Sequence, residues 1–158
     1  MAIQTENAMQ KWLDGQISLG AAASWDTSEI RIISEIAYAL AQQGRAREAI
    51  VLFEGLVALA PATAYFQAAL GALCLRLKNF PRAIEHLDAA LKIEPNDVVS
   101  LVNRGEAKLR TGNVEAARVD LEKAALKGLQ TVSKQVDIND EVTLSVKRAR
   151  ALLQVHQA

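Results

Sequence analysis

The chain has 158 residues, of which 51% are apolar and only 4% are aromatic. Alanine and leucine supply most of the apolar residues, and this composition favours helices over strands. The length is sufficient for one domain with a modest core. The 18 basic and 18 acidic residues balance each other. A nucleic-acid partner is therefore not expected, because binding to phosphates needs an excess of lysine and arginine.

Three features of the sequence indicate a cytoplasmic location. The chain does not open with a basic stretch and an apolar run, so no signal peptide is predicted. The most apolar run, AIVLFEGLVALA, contains Glu54 and is too short to span a bilayer, so no membrane insertion is expected. The single cysteine, Cys74, cannot form an internal disulfide, which is typical of a reducing compartment.

Residues 1–28 are the least regular part of the chain. Four apolar residues predict a short helix that breaks near Gly15 or Gly20: Met9, Trp12, Leu13 and Ile17. In one interpretation, Trp12 and Trp25 pack on the helices that follow. In the other, Met9, Trp12 and Leu13 form a homodimer contact in which the tryptophan is the anchor.

A period of 34 residues runs through the middle of the chain. Four sets of positions follow it: Gly44, Lys78 and Gly112; Ala49, Ala83 and Ala117; Phe53, Leu87 and Leu121; and Pro61, Pro95 and Leu129. Features of different chemistry that share one period indicate a repeated structural unit.

Each unit is predicted to contain two helices. In the first unit, the leading helix covers roughly residues 29–43, and its apolar face is formed by Ile33, Ile36, Ala37 and Leu40. Asp26 and Glu29 resemble a capping box at its start. Gly44 ends this helix, and a second helix over roughly residues 47–59 stops at Pro61.

The second helices of the later units carry similar start signals. Asn79 is the predicted N-cap in the second unit, and Pro81 lies in the first turn, where a missing N–H costs nothing. Asn113 takes the corresponding place in the third unit.

This pattern resembles the tetratricopeptide repeat family, whose units carry a large residue, Leu-Gly and Tyr in the first helix and Ala, an aromatic and a closing Pro in the second. The corresponding residues are Ile33, Ile36, Ala37, Leu40, Ala49, Phe53 and Pro61 in the first unit, Gln67, Leu70, Gly71, Cys74, Ala83, Leu87 and Pro95 in the second, and Leu101, Arg104, Gly105, Lys108, Ala117, Leu121 and Leu129 in the third.

The resemblance implies an all-α fold, a helical-hairpin solenoid of three repeats over residues 29–62, 63–96 and 97–130. An N-terminal helical segment over residues 1–28 and a C-terminal capping helix over residues 136–157 complete it. Ala37, Gly71 and Gly105 are expected to let the two helices of a unit approach closely. Arg104 and Lys108 stand at usually apolar positions, so either that face is partly open or their aliphatic stems lie along the core with the charges in water.

Residues 136–157 are predicted to cover the last repeat, because stacked repeats leave an apolar face bare at each end. Their helical stripe consists of Val142, Val146, Ala149 and Leu153, while Lys147, Arg148 and Arg150 lie largely off it. The polar residues Asp137, Asn139, Asp140 and Glu141 are expected to cap this helix. A calcium loop is not expected, because its glycine is absent.

No combination of residues predicts catalysis, so the chain is not expected to be an enzyme. His86 lies in a helix between charged neighbours and is expected to be solvated, and His156 stands near the end of the chain. One cysteine and two distant histidines make no zinc pattern. Cys74 takes a core-facing repeat position and is expected to be buried. No metal and no cofactor are predicted.

The resemblance implies that a partner binds on the concave face, which the first helix of each unit lines. The implied groove residues are Arg31, Ser34, Tyr38 and Ala41 in the first unit, Tyr65, Ala68, Ala72 and Leu75 in the second, and Val99, Val102, Asn103, Glu106 and Leu109 in the third. They predict an apolar trough with tyrosines at one end, which suits an extended apolar segment of a partner protein. The alternative occupant is the N-terminal segment or a neighbouring copy.

Some family members bind the C-terminal carboxylate of heat-shock chaperones through a clamp of Lys, Asn and Arg. The corresponding positions here hold Ser34, Tyr38, Ala69 and Val99, and only Asn103 is of a related kind. A carboxylate would lose its water there and find no fixed cation. That clamp is therefore not expected.

The function implied is a non-enzymatic protein–protein interaction module, an adaptor or assembly factor with a peptide-binding groove. A narrower resemblance is to the class II chaperones of bacterial type III secretion, which hold pore-forming translocators soluble before export and many of which form dimers. The layout of repeats and end segments carries this resemblance, with the stretches AIVLFEGLVALAP and AYFQAALGALCLRLKNFPRAIEHL. Such a chaperone is the alternative function.

Overall fold

The structure is a computed structural model that describes residue 8, residues 10–133 and residues 140–155. No strand occurs among these residues, and residues 10–13 have helical geometry. The longer helices and one short helix are, in chain order, α1 (Leu19–Ala22), α2 (Thr27–Gln42), α3 (Ala46–Leu59), α4 (Ala64–Arg76), α5 (Phe80–Ile93), α6 (Val98–Arg110), α7 (Val114–Ser133) and α8 (Asp140–Val155). The predicted all-α class is confirmed.

The predicted capping signals start their helices. The Asp26 carboxylate accepts hydrogen bonds from the backbone N–H groups of Ser28 at 2.7 Å and Glu29 at 2.9 Å, and the Glu29 carboxylate accepts one from the Asp26 N–H at 2.9 Å. This is the reciprocal capping box that the sequence predicts for α2. The Asn79 side chain accepts a hydrogen bond from the Arg82 N–H at 3.4 Å at the start of α5.

The turn inside each hairpin contains one residue with positive φ. Gly44 and Gly112 both have φ of 81°, and Lys78, at the same step of 34 residues, has φ of 59°. Glycine adopts this conformation freely because it has no Cβ. A lysine in the left-handed region costs roughly 1–2 kcal/mol, so Lys78 keeps the geometry of the turn at the expense of stability.

The chain divides into two compact units, Met1–Phe66 and Gln67–Ala158. In the first unit, α2 and α3 form a hairpin in which Ala37 and Ala49 are fully buried. The ring of Phe53 lies 6.1 Å from the ring of Tyr65, edge to face, and 6.3 Å from that of Phe66. These aromatic contacts tie the start of α4 to α3.

Ile36 does not lie on the buried face of α2, contrary to the sequence prediction. Its side chain is 49% exposed, and Ile32 and Trp25 are also exposed. Ile36 is about 100° around the helix from the buried Ala37, so the two residues cannot share one narrow face. The helix therefore carries a second apolar stripe besides the one that packs on α3.

In the second unit, helix pairs pack closely at glycines. A Cβ at Gly71 would clash with the side chain of Leu87, and a Cβ at Gly105 would lie 2.8 Å from Cγ of Leu121. The close approach predicted for Gly71 and Gly105 is confirmed. Gly128 of α7 is a third such position, since a Cβ there would clash with Val146 of α8.

The last helix packs on the third hairpin through its predicted stripe. Val146 and Ala149 are buried in a core cluster with Leu91, Val98, Leu101, Val102, Leu121 and Ala124. Val142 and Leu153 pack against this cluster and are partly buried.

A buried carboxylate joins the side chains of Arg104 and Lys108. Asp120, whose side chain is only 5% exposed, accepts hydrogen bonds from Nε and Nη2 of Arg104 at 2.8 and 2.5 Å and from Nζ of Lys108 at 2.8 Å. Arg104 also donates to Asp88 at 2.7 Å, which connects α5, α6 and α7. Burial alone would lower the pKa of Arg104, but the hydrogen bonds to Asp120 and Asp88 raise it overall. The sequence predicted either a partly open face or charges that reach water. Neither is correct, because Arg104 and Lys108 pair with carboxylates of the same compact unit.

We predict that Gly71→Ala destabilises the protein by about 1–3 kcal/mol, because the added methyl group would press on Leu87. Gly55→Ala is the matched control: Gly55 is an exposed position inside α3, and a methyl group added there would meet no neighbouring atom within 4 Å. It should stabilise the protein by about 0.5–1 kcal/mol. Urea unfolding followed by circular dichroism measures both. Equal stabilisation by the two changes would contradict the close contact.

We predict that Asp120→Asn costs about 3 kcal/mol, because two partly buried cations would lose their shared carboxylate. Glu122→Gln, two residues along α7 at an exposed position, should change the free energy of unfolding by less than about 0.5 kcal/mol. The same urea titration tests this pair of variants. A loss below about 1 kcal/mol for Asp120→Asn would mean that the three charges do not act together.

Candidate peptide-binding surface

The predicted groove residues of the first repeat, Arg31, Ser34, Tyr38 and Ala41, lie on α2, and Tyr65 of the second repeat lies at the start of α4. Tyr38 and Tyr65 are about half exposed, and Ser34 is partly buried. Arg31 is exposed and forms an ion pair with Glu35, one helical turn away, at 2.6 Å. This surface thus carries two half-exposed tyrosines and an arginine whose charge is already paired with Glu35.

On α4 the predicted residues share one face. Ala68, Ala72 and Leu75 follow one another at a spacing of four and three residues, and all three are partly exposed. Two alanines leave this face shallow, so the backbone of a bound segment can approach it closely. Leu75, at the end of the row, offers the largest apolar side chain.

On α6 the predicted residues differ in their exposure. Val99 is partly exposed, whereas Val102 is fully buried in the core cluster that includes α8, and Leu109 packs against that cluster. Asn103 is only 7% exposed. The last helix therefore covers much of the surface that the repeat pattern assigns to the groove of the third unit.

The last helix also adds a cation to this surface. Arg148 donates a hydrogen bond to Oδ1 of Asn103 at 3.1 Å and pairs with the carboxylate of Glu106. Arg110 lies on the other side of that carboxylate, at 3.9 Å. We call Asn103, Glu106, Arg110 and Arg148 the Arg148 cluster.

The sequence predicted no fixed cation at the clamp-related positions, and the structure adds one beside Asn103 from outside them, on α8. No sequence pattern indicated Arg148, which lies 45 residues from Asn103 and outside the repeat alignment. Its place one residue before the buried Ala149 puts it at the edge of the packed stripe, and this is the one sequence feature that could have suggested the contact.

The candidate dimer contact is described only in part. Trp12 and Leu13 are exposed, and residues 10–13 are helical. Met9 lies outside the described residues. The homodimer contact stays a prediction.

Histidine and cysteine have structural roles in the described chain. His86 is partly buried and its Nδ1 lies 2.9 Å from Oε1 of Gln67, so the prediction of a solvated histidine is wrong. Cys74 is buried, as predicted. Among the described residues, no three His, Cys, Asp or Glu side chains converge to hold a metal ion. His156, Asp137 and Asn139 lie outside those residues.

Residues 35–98 match the model of the tetratricopeptide repeat family. The matched segment begins in α2 and ends at the start of α6. The 34-residue period continues beyond it into the third hairpin, α6 and α7. None of the curated proteins matches the chain in sequence. None of the helices described here combines the length and the apolar character needed to cross a membrane.

Three solved structures are similar to the chain. A type III secretion complex from Aeromonas hydrophila is 21% identical, with a TM-score of 0.80 and 94% of each chain covered. The type III secretion translocator chaperone SycD of Yersinia enterocolitica is 16% identical, with a TM-score of 0.74 over 88% of this chain and 98% of that one. PcrH of Pseudomonas aeruginosa, in complex with the chaperone binding region of PopD, is 17% identical, with a TM-score of 0.72 over 82% and 92%. The likeness shows that the chain has the tetratricopeptide-type helical solenoid fold.

We predict that Val102 and Val99, three residues apart on α6, respond differently to aspartate. Val102→Asp should cost more than about 3 kcal/mol, because it buries an unpaired carboxylate in the core cluster. Val99→Asp should change the free energy of unfolding by less than about 1 kcal/mol, since the site is partly exposed and lies in the first turn of α6, where a negative charge is favoured. Thermal unfolding measures both, and equal Tm values would contradict this division between core and surface.

Proposed function

We propose that the chain is a non-enzymatic protein-binding module that holds an extended apolar segment of a partner protein against the first helices of its tetratricopeptide repeats. The row of Ala68, Ala72 and Leu75 on α4 carries this proposal. It is apolar, partly exposed and shallow. Such a surface suits main-chain approach with a few apolar anchors, and it offers no group for catalysis.

The expected affinity follows from the anchors. Burying one aliphatic or aromatic side chain contributes roughly 1.5–3 kcal/mol. Two or three anchors together contribute about 3–9 kcal/mol, from which the cost of ordering the segment is subtracted, so we expect a dissociation constant between about 1 μM and 1 mM. On the first compact unit, the half-exposed rings of Tyr38 and Tyr65 offer apolar area of their own.

A second candidate function is that of a translocator chaperone of type III secretion. The fold likeness to SycD, named as a translocator chaperone, and to PcrH bound to the chaperone binding region of PopD favours it. In this function the module acts in the cytoplasm and keeps an apolar client soluble. We further propose that exposed Trp12 and Leu13, with Met9, form a homodimer contact.

We predict that Leu75→Glu weakens binding of apolar peptides at least tenfold, because a carboxylate would have to lose its water against the bound segment. The probes are 12-residue peptides selected from a random phage-displayed library on the wild-type protein and then synthesised. Isothermal titration calorimetry gives the dissociation constants. Leu126→Glu, at an exposed apolar position on α7, is the matched control and should bind normally.

Two results would contradict the proposal: an equal loss in both variants, or a library that yields no binder. Unfolding of Leu75→Glu by circular dichroism would show that Leu75 belongs to the core instead. A synthetic peptide with the sequence of the chaperone binding region of PopD separates the two candidate functions. A dissociation constant of about 1 μM favours the chaperone, and one above about 1 mM favours a general adaptor.

A further inference from the structure

We propose that the Arg148 cluster binds an acidic side chain of the partner, so that the bound segment carries an aspartate or glutamate close to an apolar anchor. The proposal rests on the proposed function, since it names a further requirement of the same partner segment. It concerns only the second unit of the chain, in which α6 and α8 both lie.

The charges of the cluster do not balance. Glu106 is the one carboxylate that the described contacts give it, and two guanidinium groups, of Arg148 and Arg110, face this carboxylate. Two positive charges and one negative charge leave the cluster with a net charge of +1. Lys108, also on α6, does not add to it, because its ammonium group pairs with Asp120.

Arg148 is the cation of the cluster that is partly withdrawn from water, because the side chain of Arg110 is 63% exposed. The Glu106 side chain is 19% exposed and that of Arg148 is 40% exposed, so the pair is partly withdrawn from water while Arg148 stays accessible. Desolvation lowers the pKa of Arg148, and a second carboxylate would compensate for that cost. Charge-assisted hydrogen bonds to a guanidinium are about twice as strong as neutral ones.

Arg148 has hydrogen-bond donors left for a ligand. A guanidinium carries five N–H donors in a planar fork. The described bonds use Nη1 toward Asn103 and Nη2 toward Glu106. Asn103 and Glu106 thus fix the plane of the fork, and this fixed orientation lowers the entropy lost when a carboxylate binds.

The spacing along α6 sets the position of the acid in the partner. Val99, the partly exposed apolar residue of α6, precedes Asn103 by four residues, or about 6 Å along the helix axis. An extended segment rises about 3.3 Å per residue. A segment with an apolar side chain on Val99 therefore reaches the Arg148 cluster with a residue about two or three positions away.

The experiment uses the peptides selected on the wild-type protein. Among them, we expect an aspartate or glutamate two or three positions from an apolar residue. The best binder is synthesised together with a twin in which this acid is replaced by its amide. In about 50 mM salt the acidic peptide should bind the wild-type protein about tenfold more tightly than its twin, and the difference should shrink in about 300 mM salt.

Three variants of the protein complete the test. Arg148→Gln should bind the two peptides equally. Glu106→Gln keeps an oxygen that can accept from Arg148 and orient it, but removes the competing charge. It should bind the acidic peptide several-fold more tightly than the wild-type protein does, a gain that unfolding cannot produce. Arg150→Gln, an exposed residue on the same helix, is the matched control and should keep the tenfold preference. Circular dichroism confirms that each variant is folded.

The outcomes separate this proposal from the proposed function. One outcome would overturn the acidic contact alone: the peptides bind the wild-type protein and do not bind Leu75→Glu, but the acidic peptide and its amide twin bind equally well. A preference that persists in Arg148→Gln, or a loss of affinity for the acidic peptide in Glu106→Gln, would also overturn it. A library that yields no binder would overturn both.

Discussion

The close approach of paired helices at residues without large side chains is the constraint on which the rest of the second unit depends. Gly71 and Gly105 each leave room for one buried leucine, Leu87 or Leu121, and these leucines stand 34 residues apart like the glycines. Protein cores tolerate little change in volume, so each glycine–leucine contact fixes the distance between the two helices of its hairpin. Gly128 and Val146 make the same kind of close contact between α7 and α8.

The ion-pair network around Asp120 connects neighbouring hairpins, whereas the glycine–leucine contacts hold together the two helices of one hairpin. Arg104 reaches Asp88 of α5 and Asp120 of α7 at once. A buried ionic network of this kind contributes less net stability than its Coulomb energy implies, because each charge has lost water. It does require all partners to be in place together.

Local patterns in the sequence predicted the starts of α2 and α5 and the buried stripe of α8. The capping box of Asp26 and Glu29, the cap at Asn79 and the stripe of α8 all depend on residues within a few helical turns of one another.

The contacts that the sequence did not predict join distant positions: Arg148 with Asn103, Arg104 with Asp88 and Asp120, and His86 with Gln67. Charged and polar side chains are long, and each can form hydrogen bonds or ion pairs of similar energy with several alternative partners. The choice among those partners is made by packing, and helical periodicity carries no information on it. The exposure of Ile36 has a similar origin, since α2 is apolar on more than one side.

We propose for the last helix both a capping role and a role in binding. As a cap it must cover the apolar side of the third hairpin, which it does with Val146 and Ala149. The same packing places Arg148, the neighbour of Ala149 in sequence, against two polar positions of α6. The row on α4 cannot supply this group, because it is lined by alanine and leucine. An apolar surface binds many sequences with similar affinity, whereas a guanidinium held in a fixed plane discriminates between a carboxylate and an amide. In the proposed complex, affinity comes from the row on α4 and discrimination from α8, and the capping helix then belongs to the binding surface as well as to the core.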